Sequence, residues 1–333
     1  MLEPLASGVG KLENLLKVVL GFGLAKRGRQ MTALGLPFSV SVEPTTSCNL
    51  RCPECPSGLR SFTRKTGMLD SEFYERVLAQ MHNHLVYLNL YFQGEPYLHP
   101  EFLRLVQQAR RRNIYVSTST NAHYLNEKNA EATVRSGLSR LIISLDGMTQ
   151  ATYEQYRIGG TVSKVFEGVA NLIAAKERLG SSTPLIVLQY LVVGPNEHEI
   201  DEAKAYAKRA GVDKIVFKTA QIYDYEAGSA LMPKDDKYSR YRKGPDGKFA
   251  IKNAWLNHCW KMWHSCVITW DGYVVPCCFD KDAVHKMGDL NTTPLTTIWQ
   301  NELYADFRSK LLAGRKEIEI CQNCTEGTEV FAD

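Results

Sequence analysis

Nine cysteines are the residues of this 333-residue chain whose type and spacing could do chemistry. Three of them follow one another as CxxxCxxC, and the other six lie far downstream. Disulfide frameworks suit short secreted chains with an even cysteine count, so metal or cluster binding is the expected use of these thiols. In chain order they are Cys48, Cys52, Cys55, Cys259, Cys266, Cys277, Cys278, Cys321 and Cys324.

The first cysteine group, Cys48, Cys52 and Cys55, supplies three thiolates in a loop directly after a predicted strand. A four-iron four-sulfur cluster normally takes four cysteine ligands. A metal site that is one protein ligand short keeps a coordination position open for a substrate or cofactor. A structural zinc site is the alternative, but it would need a fourth ligand from elsewhere, because no histidine stands at a usual short spacing. The first cysteine group therefore predicts an incomplete iron–sulfur cluster.

The elements that must position these thiols alternate between strand and helix patterns. Six βα units in a row imply an α/β protein with a parallel sheet, in which a site forms at the carboxyl ends of the strands. The predicted strands are Phe38–Val42, Val86–Phe92, Ile114–Thr118, Arg140–Leu145, Leu185–Val193 and Lys214–Lys218. The predicted helices between them are Ser71–His82, Glu101–Arg112, Asn126–Ser136, Ser163–Leu179 and Glu197–Ala210.

The chain divides into four predicted parts. Residues 1–36 form a helical extension, residues 37–223 the αβ body, residues 224–258 an irregular linker and residues 259–333 a small cysteine-rich unit. That last unit is predicted to contain a β-hairpin with an Asp271-Gly272 turn, followed by a helix over roughly 295–313.

Charge and hydropathy exclude several classes of protein. The excess of 40 basic over 36 acidic residues is too small to indicate a nucleic-acid partner. No apolar run is long enough to span a membrane, and no signal-peptide cleavage site is evident, so a cytoplasmic location is expected. The N-terminal helix is expected to pack on the body of the protein. Membrane contact is the less favoured alternative, raised by Lys26, Arg27 and Arg29 beside an apolar stretch.

The first cysteine group, together with further motifs at the strand ends, resembles the radical S-adenosylmethionine (SAM) superfamily. Gln93-Gly94-Glu95-Pro96 is similar to that family's GGEP element, and Tyr153–Arg157 resembles the segment whose arginine pairs with the methionyl carboxylate. The resemblance implies a partial (β/α)6 TIM-like barrel with a 4Fe–4S cluster that binds SAM at its open iron. The residues that it places on SAM are Gly94, Glu95, Ser119, Asn121, Ser144, Arg157, Gln189 and Val192. One departure is Glu54, which stands where the family often has an aromatic residue.

The second cysteine group resembles the auxiliary-cluster domain called SPASM, in its shorter "twitch" form. This resemblance implies one auxiliary 4Fe–4S cluster, held by Cys259, Cys277, Cys321 and Cys324. Cys266 lies in an apolar run and is expected to be a buried, non-ligating thiol. We expect Cys278 or Asp280 to handle a proton or hydrogen atom of the substrate, and support of the cluster from outside its ligand set is the alternative.

The resemblance implies an enzyme that cleaves SAM reductively to a 5′-deoxyadenosyl radical, which removes a hydrogen atom from its substrate. An external reductant such as flavodoxin or ferredoxin would supply the electron. The expected substrate is a small molecule such as a sugar, a cyclitol or a lipid headgroup, because only 47 residues precede Cys48 and relatives that mature peptides commonly carry a leader-binding domain there. Peptide or protein modification is the alternative. A non-catalytic iron–sulfur protein is a third, less favoured interpretation.

Overall fold

The computed structural model describes residues 9–28 and 33–325. Their strands are β1 Ser39–Val42, β2 Tyr87–Asn89, β3 Tyr115–Thr120, β4 Arg140–Ser144, β5 Leu185–Val192, β6 Lys214–Thr219, β7 Tyr241–Lys243, β8 Phe249–Ile251, β9 Ser265–Ile268, β10 Tyr273–Val275 and β11 Gly288–Asp289. Their helices are α1 Val9–Lys26, α2 Pro56–Leu59, α3 Ser71–Met81, α4 Phe102–Arg110, α5 Glu127–Arg135, α6 Gln150–Tyr156, α7 Val162–Arg178, α8 Ile200–Ala210, α9 Lys261–His264, α10 Leu295–Trp299, α11 Glu302–Gly314 and α12 Glu319–Gln322.

The chain forms two compact units. The first contains the described residues of Met1–Ser47, Phe62–Ser117 and Trp255–Gly327, and the second contains Cys48–Ser61 and Thr118–Ala254. Cys48, Cys52 and Cys55, the first cysteine group, therefore lie in the second unit. The six cysteines from Cys259 onward lie in the first unit. The predicted domain boundaries do not follow this division and stay predictions.

The first unit carries a sheet in the strand order β11-β10-β9-β1-β2-β3. Strands β1, β2 and β3 are parallel, and β9 lies parallel to β1 on its other side, with Val40 opposite Cys266. The predicted hairpin is present as β9 and β10, which pair antiparallel around Gly272 with φ of +94°. The C-terminal hairpin thus extends the sheet begun by the N-terminal strands.

The second unit contains strands β4, β5 and β6, which pair in that order and are all parallel. Their middle strand, β5, has mostly buried residues, as expected for a strand covered on both faces. The segment predicted to be an irregular linker, residues 224–258, is more ordered than expected, because β7 and β8 form an antiparallel hairpin in it. The buried Tyr241 anchors that hairpin, since its hydroxyl accepts from Ile222 N at 2.8 Å.

The predicted C-terminal helix is two helices, α10 and α11. Gln300 is the C-cap of the first, and Asn301 caps the second, because its Oδ1 accepts from the Tyr304 N–H at 3.0 Å. An asparagine side chain competes with the helical backbone for hydrogen bonds and therefore favours the cap position over the helix interior.

Helix α1 packs on the first unit through its polar and small side chains. The Asn14 amide exchanges two hydrogen bonds with the backbone of Leu36, at 2.7 and 2.9 Å. Buried Lys11 donates to the Asn113 carbonyl at 3.3 Å. The packed helix agrees with the expectation, although the large aliphatic side chains Leu12, Leu16, Val19 and Leu20 are on its exposed side. Among the described residues, no helix is both long and apolar enough to cross a membrane.

Candidate functional site

The first cysteine group occupies the loop that continues the chain after β1. Cys52 is buried, whereas Cys48 and Cys55 are half-buried. The loop is shaped by its own backbone: Leu50 N–H points to the Cys48 sulfur at 3.4 Å, and Cys55 precedes α2 as its N-cap residue. The three thiols are thus held on a short, ordered loop of the second unit.

Arg157, the C-cap residue of α6, is a charged side chain in contact with this group. Its Nη1 lies 3.7 Å from the Cys52 sulfur, and its Nε forms an ion pair with buried Asp146. The other Asp146 oxygen accepts from Leu191 N–H at 2.8 Å. The carboxylate therefore fixes the guanidinium between the end of β4 and the cysteine loop.

Electrostatics at Cys52 combine two opposing effects. Burial raises the pKa of the Cys52 thiol, and the guanidinium of Arg157 opposes that shift. A buried thiolate is stabilised by a neighbouring cation or metal. This environment suits a thiolate that binds iron.

Two asparagines tie the cysteine loop to the end of β3. Asn121 donates from Nδ2 to Asn49 Oδ1 at 2.8 Å, and its own Oδ1 accepts from the His123 N–H at 3.1 Å. Asn49 directly follows Cys48 in the sequence. The predicted site residue Asn121 thus lies within hydrogen-bond contact of the loop. Glu54 supports the same loop, because its carboxylate accepts from Tyr223 N–H at 2.8 Å.

The remaining predicted SAM contacts of the second unit lie on its strands. Ser144 is the last residue of β4 and pairs in register with Gln189 on β5. Val192 is fully buried at the end of β5, and Ser119 is half-buried near the end of β3. Their roles toward SAM stay predictions.

Gly94 and Glu95 belong to the first unit. Gly94 has φ of +74°, and a Cβ there would lie 2.7 Å from the Ser47 carbonyl oxygen and closer still to that of Thr45. The Glu95 N–H donates to the same Ser47 oxygen at 2.8 Å, while its buried carboxylate accepts from the Tyr97 N–H at 3.2 Å. Glycine is required here because the turn packs directly against backbone.

The structure brings the four predicted ligands of the second cysteine group together. Cys277 interacts electrostatically with Cys259 and Cys324, and Cys321 interacts with Cys259. Burial raises the pKa of Cys321 to about 11, while Arg315 opposes that shift. Burial also raises the pKa of Cys277, and the adjacent Cys278 raises it further. The four thiols therefore lie close together, with Cys321 and Cys324 buried and Cys259 and Cys277 half-buried.

The three other residues singled out near this group differ in exposure. Cys266 is fully buried in β9, and burial raises its pKa to about 12, consistent with a non-ligating thiol. Cys278 is exposed, with its sulfur 4.0 Å from the Lys261 ammonium. The buried Asp280 carboxylate accepts backbone N–H groups of Val284 at 2.8 Å and His285 at 2.9 Å, an arrangement that favours a structural role. The proposed part of Cys278 and Asp280 in handling hydrogen stays a prediction.

Both groups fit iron–sulfur clusters by the chemistry of their donor sets. Three or four closely grouped thiols with an arginine in contact are suited to an anionic cluster, because its sulfurs accept hydrogen bonds. Residues 9–28 and 33–325 contain no three His, Cys, Asp or Glu side chains placed around a single metal ion. A four-iron cluster does not require such a group, because each of its cysteines binds a different iron.

The sequence analysis missed three polar residues of these sites: Asp146, Asn49 and Arg315. A carboxylate two residues beyond a strand end, as at Asp146, is a signal that could have been used. Arg315 gave no local signal, because it lies between a helix and the final cysteine pair without a motif of its own.

Comparison with known proteins identifies the family. The model of the radical SAM superfamily matches residues 42–207, and that of the SPASM iron–sulfur cluster-binding domain matches residues 259–325. Together the two matches cover more than half of the chain, and each includes one of the two cysteine groups.

Among its relatives, the chain is 28% identical to the PqqA peptide cyclase of Gluconobacter oxydans, over 74% of this chain and 72% of that protein. It is 24% identical to the mycofactocin maturase MftC of Mycobacterium tuberculosis, over 87% of this chain and 76% of the relative. The fold matches that of SuiB from Streptococcus suis, in a crystal structure of SuiB bound to the precursor peptide SuiA. That match has a TM-score of 0.65 and 15% identity, and covers 97% of this chain and 79% of SuiB.

These comparisons correct the expected substrate class. The expectation of a sugar, cyclitol or lipid headgroup was wrong, because relatives that align with most of this chain are named as a peptide cyclase and a maturase. The expectation depended on the length of chain before Cys48. That length does not determine substrate class, because a peptide can be recognised by other surfaces.

The remaining expectations about family, fold class and cofactors are confirmed. The fold is a mostly parallel α/β arrangement of the partial-barrel type with a cysteine-rich C-terminal region. The cofactors are a 4Fe–4S cluster with SAM and an auxiliary iron–sulfur cluster. The chain is an enzyme that belongs to the radical SAM superfamily and carries a C-terminal SPASM domain.

Proposed function

We propose that this chain modifies a peptide or protein substrate by radical chemistry, with an external protein such as flavodoxin or ferredoxin as reductant. The observation that carries the substrate class is its relationship to a peptide cyclase along 74% of its length. When bound, the cluster and SAM supply one-electron cleavage of the sulfonium and removal of a hydrogen atom from carbon.

Arg157 is assigned the binding of the SAM carboxylate. A guanidinium has five N–H donors in a planar fork, so its contacts with Asp146 and Cys52 leave donors for a carboxylate. Asp146 holds the fork in one orientation through the ion pair. Orientation matters here because a radical acts on whichever hydrogen is held nearest to it.

Exclusion of water is the second task of the chain's own residues. Cys52, Asn121, Ser144 and Asp146 are all buried, and Asp146 is fully so. A site closed to solvent keeps out dissolved thiols and oxygen, which would quench a carbon radical.

The test is an anaerobic assay with the reconstituted full chain, SAM and dithionite. Peptides translated from short reading frames that flank the gene serve as probes, and both 5′-deoxyadenosine and peptide mass are measured. The expected result is peptide-stimulated 5′-deoxyadenosine formation with a mass change in one peptide. A matched control lacks the first cluster through Cys48→Ala, Cys52→Ala and Cys55→Ala. Deoxyadenosine formation that no peptide stimulates, with every peptide mass unchanged, would contradict the proposal.

A further inference from the structure

Arg315 is a buried cation placed within the second cysteine group. Its side chain is 1% exposed, and its Nη2 lies 3.4 Å from the Cys324 sulfur. It also interacts electrostatically with Cys259 and Cys321. One guanidinium thus contacts one of the four thiols that are predicted to bind the auxiliary cluster, and it interacts electrostatically with two more.

The backbone around Arg315 directs this side chain inward. Arg315 directly follows α11, and its N–H donates to Asn257 Oδ1 at 3.1 Å. The Asn257 amide in turn donates to the Ala313 carbonyl at 3.3 Å. The Trp255 indole donates to the Cys321 carbonyl at 3.4 Å, so the segment before Cys259 supports both the arginine and a thiol loop.

Two donors of Arg315 have no partner among the described residues. Its Nε and Nη1 are buried without a hydrogen bond. A buried N–H of a charged group that stays unsatisfied destabilises the fold, so such groups normally have acceptors. The adjacent thiolates and the inorganic sulfides of a bound cluster would provide acceptors at this place.

We propose that Arg315 donates hydrogen bonds to the sulfurs of the auxiliary cluster and raises its reduction potential. Reduction adds negative charge to the cluster, and both a nearby cation and N–H···S hydrogen bonds stabilise that charge. The proposal rests on the auxiliary cluster and on no particular substrate. Its failure is therefore distinguishable from failure of the peptide-modifying function.

The test measures the potential of the auxiliary cluster alone. The host is the full chain with Cys48→Ala, Cys52→Ala and Cys55→Ala, which is expected to retain about four irons. Redox titration followed by electron paramagnetic resonance is performed with Arg315→Met, Arg315→Lys and, as a matched control, Lys316→Gln. Lys316 is the adjacent cation but is exposed.

The expected result is a lower potential in Arg315→Met, a smaller decrease in Arg315→Lys and no change in Lys316→Gln, with equal iron content throughout. Equal potentials in the host and in Arg315→Met, at equal iron content, would overturn the proposal. A host that binds no iron would contradict the auxiliary cluster itself, and the proposal with it.

A second measurement covers the case in which every Arg315 variant loses iron. The host with Arg315 intact is prepared with arginine that carries 15N in its guanidinium. The electron paramagnetic resonance spectrum of the reduced cluster is then examined for hyperfine coupling to that nitrogen. A coupling is expected because the guanidinium lies against the sulfurs. Its absence would overturn the proposal without any change at Arg315.

Discussion

The two cysteine groups each have an arginine in contact with a cysteine sulfur, but among the described residues the charge of that arginine is paired in one group and not in the other. Arg157 lies 3.7 Å from Cys52 and is neutralised by Asp146. Arg315 lies 3.4 Å from Cys324, and no carboxylate pairs with it within residues 9–28 and 33–325. The difference teaches that the same kind of contact occurs with a guanidinium fixed by a carboxylate in one group and with a guanidinium that no described carboxylate neutralises in the other.

The largest effect is expected when the cysteine groups are removed one at a time. Loss of Cys48, Cys52 and Cys55 should abolish 5′-deoxyadenosine formation and reduce iron from about eight to about four per chain. Replacing Cys321 and Cys324 by Ala should also remove about four irons but leave the first group able to cleave SAM. Iron analysis and product quantification check both results. About four irons in the unmodified chain would contradict the assignment of a cluster to each cysteine group, because only one group would then hold a cluster.

The next largest effect, on the rate of SAM cleavage, is expected at Arg157, whose charge Asp146 neutralises. Arg157→Lys keeps the charge but loses the planar fork, so SAM cleavage should slow by about 10- to 100-fold, the value of one or two charged hydrogen bonds. The matched control is Arg178→Lys in the same unit, whose arginine pairs with Glu131 at the surface and should have little effect. A rate for Arg157→Lys equal to that of the control would remove Arg157 from SAM binding.

A third prediction compares a glycine from each unit. Gly94 and Gly159 both have positive φ, but an added Cβ at Gly94 meets backbone oxygen, whereas that at Gly159 meets nothing within 4 Å. Gly159→Ala should cost about 1–2 kcal/mol of unfolding free energy from backbone strain alone. Gly94→Ala should cost about 2–5 kcal/mol, because the collision is added to the strain. Chemical denaturation measures both, and equal costs would show that the turn at Gly94 can move.

The smallest effect is expected at Cys278, which is exposed beside the half-buried Cys277. Cys278→Ala should leave iron content unchanged and lower the modification rate, if this thiol handles a hydrogen of the substrate. Cys277→Ala, the matched variant one residue away, should lose iron. Unchanged turnover in Cys278→Ala would show that this thiol takes no part in the reaction.

Several elements could be predicted from the sequence because their signals are local. The six strands from β1 to β6 lie within a few residues of the predicted ranges, since β-branched and aromatic runs between turn residues specify a strand. Asp70 and Asn126 are residue types that favour the N-cap position, and each caps a helix by accepting a backbone N–H. Short-range patterns of this kind do not depend on the rest of the chain.

Other features could not be predicted, because they depend on contacts between distant segments. The parallel pairing of β9 with β1 joins residues more than two hundred positions apart. The orientation of α1 is decided by polar contacts at Lys11 and Asn14, which outweigh the apolar stripe of Leu12, Leu16 and Val19. A periodic pattern predicts a helix but does not show which face is buried when a polar side chain finds a specific partner.

The sequence by itself indicated the kind of chemistry, because three grouped thiols leave a four-iron cluster one ligand short and the motifs around them resemble the radical SAM superfamily. Only the tertiary structure decided which charged side chains lie beside each cysteine group. The contact of Arg157 with Cys52 spans 105 residues, and the guanidinium of Arg315 reaches Cys324 through the turn after α11. Charge acts through space over a few ångströms, and distance in space is set by the folded chain.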